Sequence, residues 1–197
     1  MELSSFFFKY RSYTPIPLLL VMLYQSQPRI PWLAAGLVIL IIGELIRFWG
    51  VLYAGGATRT RDVGAPDLVT NGPFAHVRNP LYTGNILIYI GIVLFAGGDW
   101  MWYLLIVAIA FFTLQYALII SLEENTLTDL FGEAYREYKR HVPRILPRMT
   151  PWTNRDAENA TQRLEFGQAL RPEKSTLLNI TVVLSLILLK WLIIAVR

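Results

Sequence analysis

The sequence predicts an all-α integral membrane protein, a polytopic helical bundle that forms a single domain over residues 1–197. Two observations lead to this prediction: 54% of the 197 residues are hydrophobic, with a mean hydropathy of +0.43, and they gather in long apolar runs. A third observation bears on chemistry. The chain has no cysteine and only two histidines, His76 and His141, so no disulfide and no metal site are expected.

Five apolar segments are expected to cross the bilayer, which takes about 20 helical residues per crossing. The first, Ile16–Tyr24, is bounded by prolines and is short, so it either begins near Ser12 or lies only partly in the membrane. No small-residue cleavage site follows it, so we do not expect a cleaved signal peptide. The other four spans are predicted at Trp32–Tyr53, Leu81–Ala96, Trp100–Leu122 and Leu177–Val196.

Polar residues inside these spans need partners because hydrocarbon offers none. Glu44 and Arg47 are three residues apart on one helical face, where they can pair with each other, or one of them can line a pocket. Asn85 and Gln115 can line the path of a lipophilic substrate. Lys190 in the last span either points into the bundle or extends to the far interface.

Three regions make up the predicted domain. Residues 1–69 hold the first spans and part of a loop rich in glycine and proline, and residues 70–147 form a core. Residues 148–197 form a polar connector with a short helical piece, and then the last span. In the core, the short Gly97-Gly98-Asp99 turn makes its two spans an antiparallel hairpin. The hairpin therefore returns Thr70–Tyr82 and Glu123–Asn125 to one membrane face.

An amphipathic helix is expected to follow the hairpin over Glu123–His141, because apolar residues recur there at three- and four-residue steps. Gly132 is expected to break or re-aim it, and Pro143 and Pro147 to end it. The regions that hold most Lys and Arg residues are expected in the cytoplasm. The formal charge of +4 then indicates topology and contact with membrane lipid, and no nucleic-acid partner.

The core carries a motif in two halves. The first half is Gly72-Pro-Phe-x-x-x-Arg78-Asn79-Pro80-x-Tyr82-x-Gly84, and the second runs from Glu123-Glu124 through Tyr135-x-x-Tyr138 to Val142-Pro143. In this order around a hairpin, it resembles the isoprenylcysteine carboxyl methyltransferases and the related phospholipid methyltransferases. The resemblance implies an integral membrane enzyme that uses S-adenosylmethionine as its cofactor, in the inner membrane of a bacterium or the endoplasmic reticulum of a eukaryote.

The resemblance also implies a site. Its catalytic residues are expected to be Arg78, Tyr82, Glu123 and Glu124, with Arg78 holding the cofactor carboxylate and a glutamate either binding the cofactor or orienting Arg78. A basic residue before the Val-Pro pair corresponds to His141, with Arg140 and Arg144 beside it as alternatives. The complete expected cofactor-binding set is His76, Val77, Arg78, Asn79, Pro80, Tyr82, Glu123, Glu124, Tyr135, Arg140 and His141.

The expected reaction is methyl transfer to a lipophilic or lipidated acceptor at the cytoplasmic membrane surface. The resemblance favours a carboxylate acceptor. A carboxylate or a thiolate needs no general base near neutral pH, whereas an ammonium group must first lose its proton. Methylation of a lipid amine or a small thiol, reduction with a nicotinamide cofactor as in sterol reductases, and a non-enzymatic membrane scaffold remain alternatives. The sequence does not indicate an oligomeric state.

Overall fold

The computed structural model describes residues 3–55, 64–153 and 164–195, and all the regular elements among them are helical. An isolated bridge joins Gln27 and Gly97, and a short 3₁₀ helix, Gly72–Ala75, precedes the fourth α-helix. The predicted all-helical bundle is confirmed. The α-helices are α1 (Leu3–Tyr10), α2 (Ile16–Gln25), α3 (Ile30–Ala54), α4 (Pro80–Ala96), α5 (Met101–His141) and α6 (Phe166–Ala195).

Three of these helices, α3, α5 and α6, are long and apolar enough to cross a membrane. The 17 residues of α4 reach about 26 Å, slightly less than a hydrocarbon core of about 30 Å. The first predicted span is only the 10-residue helix α2, about 15 Å long, separated by a turn from α1. The described structure is therefore that of a membrane protein, with a first span that crosses only about half of the bilayer by itself.

Helices α3 and α4 pack antiparallel along a seam of glycines. Gly36 of α3 faces Gly91 of α4, and Gly43 of α3 faces Gly84 of α4. The two glycines of each helix are seven residues apart. A Cβ atom on Gly91 would lie 2.7 Å from the Gly36 carbonyl oxygen, and one on Gly84 would lie 2.6 Å from that of Gly43. The backbones therefore touch directly, as small residues permit in membrane helices.

Helices α1 and α2 pack against α5. The Thr14 hydroxyl donates to Gln115 Oε1 at 2.7 Å, and the rings of Phe7 and Phe111 meet edge to face. At the other end of α2, the Gln25 side-chain amide donates to the Gly97 carbonyl at 2.8 Å. Gln115, expected to line a substrate path, thus anchors the amino-terminal segment to the hairpin.

Helix α5 continues past the predicted end of its span at Leu122, so Glu123 and Glu124 lie within one helix, beyond its apolar part. The predicted break at Gly132 is confirmed by its φ of 56° and ψ of −125°. Glycine adopts such a positive φ without the steric cost that other residues incur. The helix ends at His141, just before Pro143, as the prolines predicted.

The carboxyl-terminal helix corrects the predicted boundary of the connector. α6 begins at Phe166 and not at Leu177, because the segment before the span packs on the end of α3, where Ala169 lies buried beside Val51 and Leu52. Lys190 points into the bundle, where its ammonium donates to the Leu23, Tyr24 and Ser26 carbonyls at the end of α2. Part of the predicted connector, residues 154–163, lies outside the described residues.

We expect Gly91→Ala to lower the free energy of unfolding by about 1–3 kcal/mol, because the new methyl group overlaps the α3 backbone. Thermal unfolding in one detergent measures the effect. Gly167→Ala in α6 is the matched control, because its Cβ atom would meet no atom within 4 Å. Equal stability of Gly91→Ala and Gly167→Ala would contradict the direct backbone contact.

Candidate functional site

The two polar stretches meet at one end of the bundle, where residues 142–152, here called the closing segment, lie against the loop before α4. The Arg78 backbone N–H donates to the Pro143 carbonyl at 2.9 Å, and that of Arg148 donates to the His76 carbonyl at 3.0 Å. The Asn79 amide donates to the Arg144 carbonyl, also at 3.0 Å. The predicted return of both stretches to one face is confirmed.

The carboxylate of Glu124 is the centre of this end of the molecule. The residue is 2% exposed, and Arg78 donates to its Oε1 from Nε at 3.1 Å and from Nη2 at 2.8 Å. Arg144 of the closing segment donates to Oε2 from Nη2 at 2.5 Å, and Lys139 Nζ lies 3.8 Å from the same oxygen. Three cations thus surround one buried carboxylate. Their contacts with it connect the loop before α4, helix α5 and the closing segment.

Arg78 is fully engaged with the protein around it. Besides Glu124, its Nη1 donates to the carbonyls of Lys139 and Val142, at 2.9 and 2.7 Å, which belong to the last turn of α5 and the residue that follows it. Its side chain is 10% exposed. Of the two roles expected for a glutamate, the geometry of Glu124 matches the orientation of Arg78.

Glu123 has a different environment from its neighbour. Its Oε1 accepts the Tyr82 hydroxyl at 2.7 Å, and the Tyr82 ring stacks on that of Tyr116 with 4.7 Å between centroids. Burial raises the pKa of Glu123, and the hydrogen bond from Tyr82 and the charge of Arg11 oppose this shift only in part. This carboxyl group therefore accepts a proton more readily than an exposed glutamate.

The pKa of Glu124 shifts the other way. Burial alone raises it, but the hydrogen bond from Arg144 and the charge and hydrogen bonds of Arg78 outweigh burial and hold the pKa below its usual value. The same contact raises the pKa of Arg144. Glu124 is therefore a fixed negative charge at neutral pH, and the two adjacent glutamates differ in the direction of their pKa shifts.

The other expected residues divide into two groups. One group lies in the loop before α4 or at the first residue of α4, namely His76, Val77, Asn79 and Pro80. Tyr135 belongs with this group, because it is buried with Tyr138 against the closing segment. In contrast, Arg140 is 62% exposed and pairs with Glu133 and Glu137, and His141 also pairs with Glu137. The structure thus does not bring Arg140 and His141 to Glu124, while it does bring Arg144 there.

Sequence reasoning missed the extent of the closing segment. The Thr83 hydroxyl donates to the Ile145 carbonyl at 3.0 Å, the Trp152 backbone N–H donates to the Ala75 carbonyl at 2.9 Å, and the Trp152 ring stacks on His141. The Val142-Pro143 pair was the available signal, since proline ends a helix and favours extended backbone before it. The partners of that extended backbone have no signature in the sequence.

A family model described as Phospholipid methyltransferase matches residues 32–134, just over half of the chain. The chain belongs to the phospholipid methyltransferase family. The match contains Arg78, Tyr82, Glu123 and Glu124, while the closing segment and α6 lie beyond it. The resemblance found in the motif is thereby confirmed.

Curated relatives carry three kinds of name. The chain is 33% identical to the nickel-cobalt-cadmium resistance protein NccN of Alcaligenes xylosoxydans xylosoxydans over 119 residues. The aligned residues make up 60% of this chain and 51% of that protein. It is 31% identical to the protein-S-isoprenylcysteine O-methyltransferase of Xenopus laevis, over 64% of this chain and 44% of that protein. It is 35% identical to methanethiol S-methyltransferase 1 of Bradyrhizobium diazoefficiens, over 38% of this chain and 24% of that protein. The chain spans about half or less of these relatives.

The two neighbouring glutamates are expected to affect stability in opposite directions. Glu124→Gln leaves the buried Arg78 without its counter-charge and should cost on the order of 3 kcal/mol of unfolding free energy. Glu123→Gln removes a carboxylate that burial disfavours, so its stability at neutral pH should equal or exceed that of the wild type. Thermal unfolding of both variants at pH 7 measures the difference, and equal losses would contradict the ion cluster.

The pH dependence of the Glu124 contribution follows from the lowered pKa. Its stabilisation is present above the unfolded-state pKa of about 4.3 and is lost as pH falls through the lower folded-state pKa. The difference in stability between wild type and Glu124→Gln should therefore shrink as the medium is acidified below about pH 4. A difference that grows on acidification would contradict this sign.

Proposed function

We propose that the protein transfers a methyl group from S-adenosylmethionine to a lipophilic acceptor at the cytoplasmic surface of the membrane. One observation carries the proposal. The polar residues of the family-matched hairpin, Arg78, Tyr82, Glu123 and Glu124, are gathered at one end of the bundle, where a partly exposed arginine of the closing segment joins them. The Lys and Arg distribution supports a cytoplasmic location for this end.

The residues present fit the cofactor. S-Adenosylmethionine has a carboxylate, an ammonium, a sulfonium and a flat adenine, so its site needs an accessible cation and carboxylates. Arg144 is 41% exposed and belongs to the Glu124 ion cluster, whereas Arg78 is nearly enclosed. We therefore assign the cofactor carboxylate to Arg144 in place of Arg78, the residue expected from the sequence, and give Arg78 the role of fixing Glu124 and the end of α5.

Glu123 and Tyr82 are the remaining polar pair of the site. A carboxylate beside a phenol ring offers a cationic ligand both a counter-charge and an electron-rich surface. We assign this pair to the ammonium or sulfonium end of the cofactor. When bound, the cofactor supplies an activated methyl group, and the protein contributes alignment of that group with the acceptor.

The acceptor we favour is a carboxylate on a lipophilic molecule. Such a group is ionised at neutral pH and needs no base, and a lipophilic molecule reaches the membrane face of a hairpin laterally. The name of the Xenopus laevis relative supports an O-methylation of this kind. The name of the Bradyrhizobium diazoefficiens relative supports a thiol as the second candidate, since that protein is named for S-methylation of methanethiol.

The cofactor assignment predicts calorimetric binding of S-adenosylhomocysteine to the detergent-purified protein. Arg144→Ala should weaken binding by about 10- to 100-fold, the loss expected for one charge-assisted hydrogen bond. Arg140→Ala is the matched control, because Arg140 pairs only with exposed glutamates among the described residues. Equal affinity of the two variants for S-adenosylhomocysteine would contradict the assignment of the cofactor carboxylate to Arg144.

A folded wild type that binds no S-adenosylhomocysteine would contradict the proposed function. Binding of a reduced nicotinamide instead would indicate a reductase. Failure to bind either ligand would leave the membrane scaffold as the better description.

The acceptor assignment predicts transfer of labelled methyl from S-adenosylmethionine to farnesylated N-acetylcysteine in detergent micelles. Dodecanethiol and phosphatidylethanolamine serve as the thiol and amine alternatives under the same conditions. A product whose label is released by mild base is the expected result, because a methyl ester hydrolyses while a thioether and a methylamine do not. Labelling of the thiol or the amine alone would replace the carboxylate as the acceptor.

A further inference from the structure

A second buried ion cluster lies inside the bundle between α3, α4 and α6. Arg47 Nη2 donates to both carboxylate oxygens of Glu173, at 2.9 and 3.1 Å, and its Nη1 donates to Asn85 Oδ1. Glu173 is 1% exposed, and Arg47 is also buried. One guanidinium group therefore joins three helices, and the nearer partner of Arg47 is Glu173, not the expected Glu44, which lies 3.8 Å away.

The free-energy cost of burying these charges is larger than the docking of α6 alone would justify. Charges inside a membrane protein are expensive, and a buried ion pair is often no more stable than well-packed apolar side chains of the same size. A separate contact already holds the other end of α6, where Lys190 donates to the last carbonyls of α2. Holding α6 in place is therefore not a sufficient reason for an arginine at this position.

The cluster is connected to the site at the membrane surface. The Asn85 side chain, whose Oδ1 accepts from Arg47, also lies close enough to the Tyr116 side chain for a polar interaction. The Tyr116 ring stacks on Tyr82, and the Tyr82 hydroxyl donates to Glu123. A series of neighbouring side chains thus leads from Glu173 of α6 through Arg47 and Asn85 to Glu123, the residue assigned to the cationic end of the cofactor.

We propose that Arg47 and Glu173 are positioning residues that fix Asn85 and, through it, the Tyr116–Tyr82–Glu123 series. The inference rests on the proposed function, because it concerns the geometry of the cofactor site. Glu173 lies in α6, outside the family match at residues 32–134, so the carboxyl-terminal helix completes a site that the hairpin alone leaves unsupported.

The test separates positioning from stability with a double variant. Glu173→Met removes the nearer counter-charge of the buried Arg47 and should lower the unfolding temperature. The double variant Arg47→Met with Glu173→Met, made in a Glu44→Gln background, removes every charge of the cluster and should restore that temperature. Asn85→Leu breaks the series and keeps both charges of the Arg47–Glu173 pair, although it takes the acceptor of Arg47 Nη1 away. Lys190→Met loosens the far end of α6 and serves as the control for α6 docking.

Each variant is measured by thermal unfolding and by calorimetric binding of S-adenosylhomocysteine. Positioning predicts that the double variant and Asn85→Leu bind about fivefold more weakly than the wild type, although the double variant unfolds near its temperature. Lys190→Met should keep the wild-type affinity. The affinity of a stable double variant is a readout that a merely structural ion pair would not change.

Restoration of both stability and affinity in the double variant would overturn the proposal, as would wild-type affinity in Asn85→Leu. Should the double variant fail to fold, Asn85→Leu decides alone. A folded wild type that does not bind S-adenosylhomocysteine refutes the proposed function and this inference together, so that failure is distinct from a failure of positioning.

Discussion

The burial of the Glu124 carboxylate is the constraint on which the end of the bundle depends. A carboxylate removed from water must be matched by charge and hydrogen bonds, and here Arg78, Arg144 and Lys139 supply them. These three residues belong to the loop before α4, the closing segment and the last turns of α5. Satisfying one side chain therefore fixes three chain segments at once, and it explains why the part of the loop next to Arg78 has a defined path.

The glycine seam between α3 and α4 performs the corresponding task inside the membrane. Lipid gives helices no hydrophobic reason to associate, so close backbone contact and polar side chains must hold them together. The approach at Gly84 brings the α3 backbone and the Arg47 stem against α4, one residue before Asn85. The seam thus sets the distance at which Arg47 reaches both Asn85 and Glu173, and packing in the membrane becomes linked to geometry at the surface.

The parts of the structure that the sequence predicted are those with local signatures. The hairpin followed from a short Gly-Gly turn, the bend in α5 from Gly132, and the juxtaposition of Arg78 with the glutamates from the hairpin itself. The missed features are contacts between distant segments. Arg47 and Glu173 are 126 residues apart in the sequence, and helical periodicity identifies only Glu44, one turn away on the same helix, as a partner. The early start of α6 was missed for the same reason. The polar residues before the span predict a connector with a short helical piece, and the burial of Glu173, which shows that they continue the helix of the span, has no local signature.

Adjacent positions on a helix gave one motif two chemically different carboxyl groups. Glu123 and Glu124 point about 100° apart around α5, so one faces Tyr82 and the apolar hairpin while the other faces the cations of the loop and closing segment. The cations keep Glu124 ionised, and burial makes the charge on Glu123 costly. The Glu123 carboxylate therefore gains more from a cationic ligand than Glu124 does, because Glu124 already has its counter-charges within the protein. We infer that Glu124 builds the site and that Glu123, together with the exposed Arg144, is left to bind.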